Sequence, residues 1–229
     1  GKATLVVVSL GAGTHSLRAT YAGDSWHAPS SSAVARISIS RSTVTLSVPT
    51  LSAKKVVWGS ASAILSVRVG GLAAGSISFV SGSRTLAVGQ VAKTSDGTVA
   101  RAALSPTAPV GTYRNIKAVW AGDANHSPAV SAAARSSLTI TKAKPKAIRV
   151  VPTTFTKHTR PRVLVVVSQL TNGQWPAGTV KLHVSGGKTV SARLSSVMSG
   201  LVWVRLGTSK KSVKVWAEFR PTDTKHVSS

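Results

Sequence analysis

The stretch Ile116-Lys117-Ala118-Val119-Trp120-Ala121-Gly122-Asp123-Ala124-Asn125-His126 is written three times in this chain of 229 residues. Leu17, Ala19, Tyr21, Asp24 and His27 precede its apolar, Ala, aromatic, Asp and His positions by 99 residues. Val215, Ala217 and Phe219 follow by 99, and Asp223 and His226 by 100, because Arg220-Pro221-Thr222 holds one residue more than Ala121-Gly122. A period near 100 is the size of a small domain and too long for a solenoid turn.

Within each copy, apolar and polar residues alternate. Leu17, Ala19 and Tyr21 interleave with Ser16, Arg18 and Thr20, and Val215, Ala217 and Phe219 with Lys214, Trp216 and Glu218. A period of two marks a half-buried strand, one face in a core and the other wet. The middle copy predicts further strands near 43-48, 62-69, 76-80, 85-88, 98-104, 112-120 and 137-141. They are separated by turn signals at Gly70-Gly71, Ser81-Gly82-Ser83, Asp96-Gly97, Pro106 to Pro109 with Gly111, and Ala121-Gly122-Asp123. Seven short strands with turns every 8 to 12 residues are the pattern of an antiparallel β-sandwich.

Composition agrees. The chain is 42% hydrophobic but 5% aromatic, rich in Val, Ala, Ser and Thr, so β-branched side chains in short strands are expected and helix is not. The longest apolar run, Val163 to Val167, is far shorter than the roughly 18 residues of a spanning helix. With no Cys, disulfides and thiolate metal sites are excluded. The repeat divides the chain into 1-40, the C-terminal part of a first repeat with strands near 3-9, 14-21 and 33-39; 41-142, a complete repeat; and 143-229, a third repeat lacking its last strand. The parent chain is expected to extend in both directions, and the short joints at 40-42 and 142-146 predict a semi-rigid string.

Tyr21-Ala22-Gly23-Asp24-Ser25-Trp26-His27-Ala28-Pro29-Ser30 and Trp120-Ala121-Gly122-Asp123-Ala124-Asn125-His126-Ser127-Pro128 resemble the aromatic-x-Gly-Asp signature of bacterial immunoglobulin-like repeats. Gly13-Thr14, Gly111-Thr112-Tyr113 and the segments Ala74-Gly75-Ser76-Ile77-Ser78-Phe79 and Ala177-Gly178-Thr179-Val180-Lys181-Leu182 are also similar to that family, specifically the group-three tandem modules of secreted and cell-surface proteins. The third repeat departs from the pattern at Arg220-Pro221-Thr222. The resemblance implies an all-β chain of tandem immunoglobulin-like antiparallel β-sandwiches, extracellular, serving as a non-catalytic spacer, stalk or adhesion module. The family carries no catalytic residues over to this chain.

The recurrent Asp-x-x-His is the one constellation that suggests chemistry, since carboxylate and neutral imidazole both ligate metals. A third and fourth ligand are missing nearby, and the whole chain holds five acids, Asp24, Asp96, Asp123, Glu218 and Asp223. The expected role is structural, with Asp accepting backbone N-H bonds to close the turn. Clustered carboxylates for calcium are lacking as well. No cofactor, metal or catalytic residue is expected.

Charge is strongly basic and uneven. Lys and Arg outnumber Asp and Glu by three to one in residues 1-39, ten to two in 40-141 and sixteen to two in 142-229, within a net charge of +24. Such a field attracts polyanions. Candidate binding residues are Lys142, Lys144, Lys146, Arg149, Lys157, Arg160, Arg162, Lys210, Lys211 and Lys214, and the expected partner is an anionic cell-wall polymer or acidic polysaccharide, beside neighbouring repeats of the parent chain. Specific nucleic-acid binding is not expected, because no recognition helix or stacking motif accompanies the charge. Trp26, Trp203 and Trp216 lie in a loop or at outward strand positions. They are candidates for stacking on sugar rings or for burial against a neighbouring domain. The alternative reading is therefore a carbohydrate-binding accessory module of a secreted hydrolase.

Overall fold

The structure, a computed structural model, describes residues 2-60, 63-156, 160-208, 210 and 212-222. The first half of the chain forms β1 Gly13–Leu17, β2 Thr20–Tyr21, β3 Ser30–Ser31, β4 Ala35–Ile39, β5 Thr45–Leu46, β6 Thr50–Leu51, β7 Lys55–Val57, β8 Ile64–Gly70, β9 Ser76–Ser81, β10 Arg84–Thr94 and β11 Gly97–Ala103. The second half forms β12 Gly111–Tyr113, β13 Lys117–Trp120, β14 Ala129–Val130, β15 Leu138–Thr141, β16 Ile148–Val151, β17 Thr154–Phe155, β18 Arg162–Val167, β19 Gly178–Val184, β20 Val190–Leu194, β21 Leu201–Arg205 and β22 Val213–Pro221. One 3-10 turn, Ser196–Met198, is the only helical element among the described residues. The chain is all-β, of the immunoglobulin-like sandwich class.

Two compact units result. The first comprises Gly1–Thr50, Leu65–Ala103 and Asn115–Ser136. Its main sheet runs β14-β13-β9-β10-β11-β8-β5, with β6 also on β8, and small sheets pair β1 with β4 and β2 with β3. Alternation sets the core of the main sheet, with Leu65, Ile77, Phe79, Leu86, Ile116 and Ala118 fully buried. Trp120 closes that core against Gly75. A Cβ there would stand 2.6 Å from the indole Cζ3, so only glycine fits.

The second unit comprises Leu51–Ile64, Leu104–Arg114 and Ser137–Ser229. It contains the sheet β12-β15-β7, in which β15 runs parallel to β7. It also contains a sandwich of β16-β18-β21 over β17-β22-β19-β20. Between its layers Val163, Val165, Val167, Val202 and Val204 meet Val180, Leu182, Leu194, Val215 and Phe219. Burying each of these aliphatic or aromatic side chains stabilises the fold by about 1.5–3 kcal/mol before chain entropy is counted. Upstream of that sandwich, Asn172 Nδ2 donates to the carbonyl of Trp58 at 3.0 Å.

Several expected elements differ. Residues 3-9 form no strand, and Leu5, Val6 and Val8 are 86, 77 and 91% exposed. A strand needs a neighbour to take its N-H and C=O groups, and 3-9 has none among the described residues. Leu17 and Tyr21, expected on a core face, are 40 and 44% exposed for the same lack of a facing layer. The strand expected over 112-120 is split at Asn115, whose φ of 52° ends β12 in one sheet and lets β13 begin in another. The strand expected at 85-88 runs over all eleven residues of β10. Its register shifts between Thr85 and Ala87, so adjacent Leu86 and Ala87 are both buried, and such a bulge erases the period-two signal.

Candidate functional site

The Asp-x-x-His turns are closed by their own carboxylates. Asp24 Oδ1 accepts the backbone N-H of Trp26 and of His27, each at 2.8 Å, and stands 2.9 Å from His27 Nδ1. The Tyr21 hydroxyl donates to Oδ2 at 2.6 Å. That hydroxyl above all, then the backbone and imidazole donors, holds the Asp24 carboxyl down to about 2, while the same bond pushes the Tyr21 hydroxyl up. Asp123 repeats the arrangement with Asn125 N at 2.8 Å, His126 N at 2.7 Å and His126 Nδ1 at 2.9 Å. Burial is the largest single influence on Asp123 and opposes ionisation, yet the His126, Asn125 and backbone donors together carry its carboxyl below the usual value. Gly23 and Gly122, with φ of 83° and 86°, supply the left-handed residue that starts each turn. With these donors engaged, the carboxylates are turn fastenings. Asp223 and His226 lie outside the described residues.

The basic candidates, two clusters in sequence, are distributed over several surfaces. Lys142 and Lys144 line a groove of about 540 Å³ with Lys55, Thr112, Thr139 and Thr141 on the sheet β12-β15-β7. Lys146 is exposed, with its backbone N-H donating to the Gln169 carbonyl at 3.2 Å. Arg160 donates from Nε to Thr208 Oγ1 at 3.2 Å. Lys210 and Lys188 line a cavity of about 770 Å³ together with Phe155, Val184, Val190 and Leu206. Lys157 and Lys211 lie outside the described residues.

Arg149 and Arg162 emerge on the outer face of β16-β18-β21, where β18 pairs Arg162 with Arg205 and β16 pairs Arg149 with Val166. Lys214 emerges on the opposite sheet. There β22 and β19 alternate inward Val215, Phe219, Val180 and Leu182 with outward Lys214, Trp216, Glu218, Arg220, Thr179, Lys181 and His183, and β20 adds Arg193 beside Thr179. Glu218 accepts from Arg220 Nε at 2.8 Å and lies 3.6 Å from His183 Nε2. The Arg220 bond is the main reason its carboxyl sits below the usual range.

Among the described residues Trp26, Trp203 and Trp216 are 89, 64 and 53% exposed. Trp216 stacks on His183, with ring centroids 5.3 Å apart and planes within 13°. This contact crosses the strand pair His183↔Trp216.

Arg205, Lys181, Arg193 and Arg220, which were not among the sequence candidates, share these outer faces. Trp203-x-Arg205 and Trp216-x-Glu218-x-Arg220 were legible as same-face pairs through alternation. The cross-strand partners were not.

The chain matches no described protein family and no curated protein. Among solved structures it is similar to the FN1-FN3 domains of chicken CNTN1, at 11% identity and a TM-score of 0.29 over 94% of this chain and 75% of that one. It is also similar to domains A168-A170 from titin, at 12% identity and a TM-score of 0.24 over 92% and 70%. A third similarity is to native alpha-2-macroglobulin from Escherichia coli spanning domains MG0-NIE-MG1, at 12% identity and a TM-score of 0.20 over 83% and 69%. The fold class rests on the strand order and register described above.

Proposed function

We propose that this chain is a non-catalytic segment of tandem immunoglobulin-like repeats of the bacterial group-three type, a spacer and adhesion module of a secreted or cell-surface protein, held against an anionic cell-wall polymer or acidic polysaccharide by its third repeat. One observation carries the reading. The two outer sheet faces of the third repeat present Arg149, Arg162 and Arg205 on one side and Lys181, Arg193, Lys214 and Arg220 on the other, with Glu218 the one acid among their described residues. A surface so depleted of acids exceeds what solubility asks and concentrates polyanions near it.

The test is retention of the 229-residue chain on cell-wall preparations with and without their anionic polymer. Retention is expected to need the polymer and to be lost between about 0.05 and 0.5 M salt, as the Debye length falls from above about 10 Å to below about 5 Å. Retention that ignores both would sink the reading. The second reading, a carbohydrate-binding accessory module of a secreted hydrolase, is favoured by the 64% exposure of Trp203. It predicts salt-resistant retention on neutral glycan.

A further inference from the structure

The outer face of β16-β18-β21 carries an apolar patch beside its arginines, where an exposed sheet face is ordinarily polar. β18 reads Arg162-Val163-Leu164-Val165-Val166-Val167. Val163, Val165 and Val167 are fully buried in the sandwich, which leaves Leu164 and Val166 on the other side. A strand apolar on both faces is the kind found covered on both faces.

Register extends the patch across three strands. One row is Val151-Leu164-Trp203, and the next is Arg149-Val166-Leu201. Val151, Leu201 and Trp203 are 54, 46 and 64% exposed. The third row sets Arg162 directly opposite Arg205. Like charges placed directly across an antiparallel pair destabilise it, and neither guanidinium forms an ion pair among the described residues. An anion between them removes that repulsion, and a carboxylate suits the forked donors of both. Trp203 lies two residues from Arg205 on the same face, about 7 Å along the strand.

We propose that this face binds an acidic polysaccharide, with a hexuronate ring stacked on Trp203 and the ring's carboxylate held between Arg162 and Arg205. This rests on the polyanion reading above and names its site and ligand class. An apolar platform beside two cations matches a ligand that carries a C-H ring face and a carboxylate in one residue. A second copy of this chain fits poorly, because it would bring further guanidiniums to the same face of a chain already at +24.

Calorimetric titration of the full chain with three probes tests the assignment. Oligogalacturonate supplies rings and carboxylates, poly-glutamate supplies carboxylates without sugar rings, and a neutral cello-oligosaccharide supplies rings without charge. Oligogalacturonate is expected to bind at least tenfold more tightly than either control. Trp203→Ala and the double variant Arg162→Gln/Arg205→Gln are each expected to lose at least tenfold, and Trp203→Tyr to regain most of the first loss. Thermal melting confirms that the variants fold.

Equal affinity for poly-glutamate, or an unchanged Trp203→Ala, overturns the proposal. So does wild-type self-association that Trp203→Ala abolishes, which would put a second copy on the face. If wild type ignores oligogalacturonate while anionic wall polymer still retains it in a salt-sensitive way, the face assignment fails and the polyanion reading stands. If neither retains it, both fail.

Discussion

Tyr21 donates its hydroxyl to Asp24 at 2.6 Å, a bond that Trp120, its counterpart 99 residues on, does not make to Asp123. The two turns share a backbone shape and the same Asp-His contact, yet their carboxylates are held by different sets of donors.

The pH dependence follows from that difference. A carboxyl whose folded value lies below its unfolded value adds stability above the unfolded value and loses it as pH falls through the folded one. For Asp24 the window runs from 3.8 down to about 2. Tyr21→Phe is expected to raise the Asp24 midpoint toward 3.8 and leave that of Asp123 where it is, as read by NMR titration of the two side-chain carboxyls. An unmoved Asp24 would show that the backbone and His27 donors suffice.

Removing the fastening itself separates the structural role from a metal-binding one. Asp123→Ala is expected to lower the melting temperature more than His126→Ala, because it releases two backbone N-H groups as well as the imidazole. Chelator is expected to leave the wild-type melting temperature unchanged. A drop on chelation would make the pair a metal site.

Gly75→Ala is expected to destabilise the first unit by roughly 1–3 kcal/mol, the usual effect of overpacking. The new Cβ would stand 2.6 Å from the Trp120 ring, at a φ of 137°. Denaturant unfolding followed by tryptophan emission measures it, and a neutral substitution would mean that the indole has room to move.

Phe219 and Tyr21 occupy the same position of the repeat at 0 and 44% exposure. Phe219→Ala is expected to cost about 3–5 kcal/mol, whereas Tyr21→Ala, apart from its bond to Asp24, should stay within about 0.5 kcal/mol. Equal losses in chemical denaturation would show that the first copy owns a core of its own.

The bond from Asn172 to the Trp58 carbonyl gives a local prediction for the joint at 142-146. Asn172→Ala removes the 3.0 Å bond to the Trp58 carbonyl, and limited proteolysis near 142-146 is expected to quicken. An unchanged rate would assign the joint's order to Lys144 and Thr171, where the Thr171 N-H donates to the Lys144 carbonyl and the Lys144 N-H to the Thr171 hydroxyl oxygen.

Much of this was legible in the chain itself. Alternation placed Ile116, Ala118 and Trp120 in a core, and the structure buries all three. The spacing Asp-x-x-His marked a turn, and Asp24 and Asp123 each accept N-H groups two and three residues ahead. Other features escaped for identifiable reasons. The bulge at Thr85 to Ala87 broke the alternation of β10, and the left-handed Asn115 divided an apparently continuous strand. Leu5 to Val8 had the composition of a strand but, among the described residues, no neighbouring strand to bond.

The amino-acid sequence alone determined the all-β class, the period near 99, the inward face of β13 and β22 and the closing of the turns at Asp24 and Asp123. All but the period depend on residues one to four positions apart, where geometry follows from local backbone shape. Only the tertiary structure decided which charges stand together. Arg162 meets Arg205 and His183 meets Trp216 across strands, at sequence separations that no local pattern encodes. Neighbours across a sheet are chosen by strand order and register, and those are set by burying the whole hydrophobic face at once.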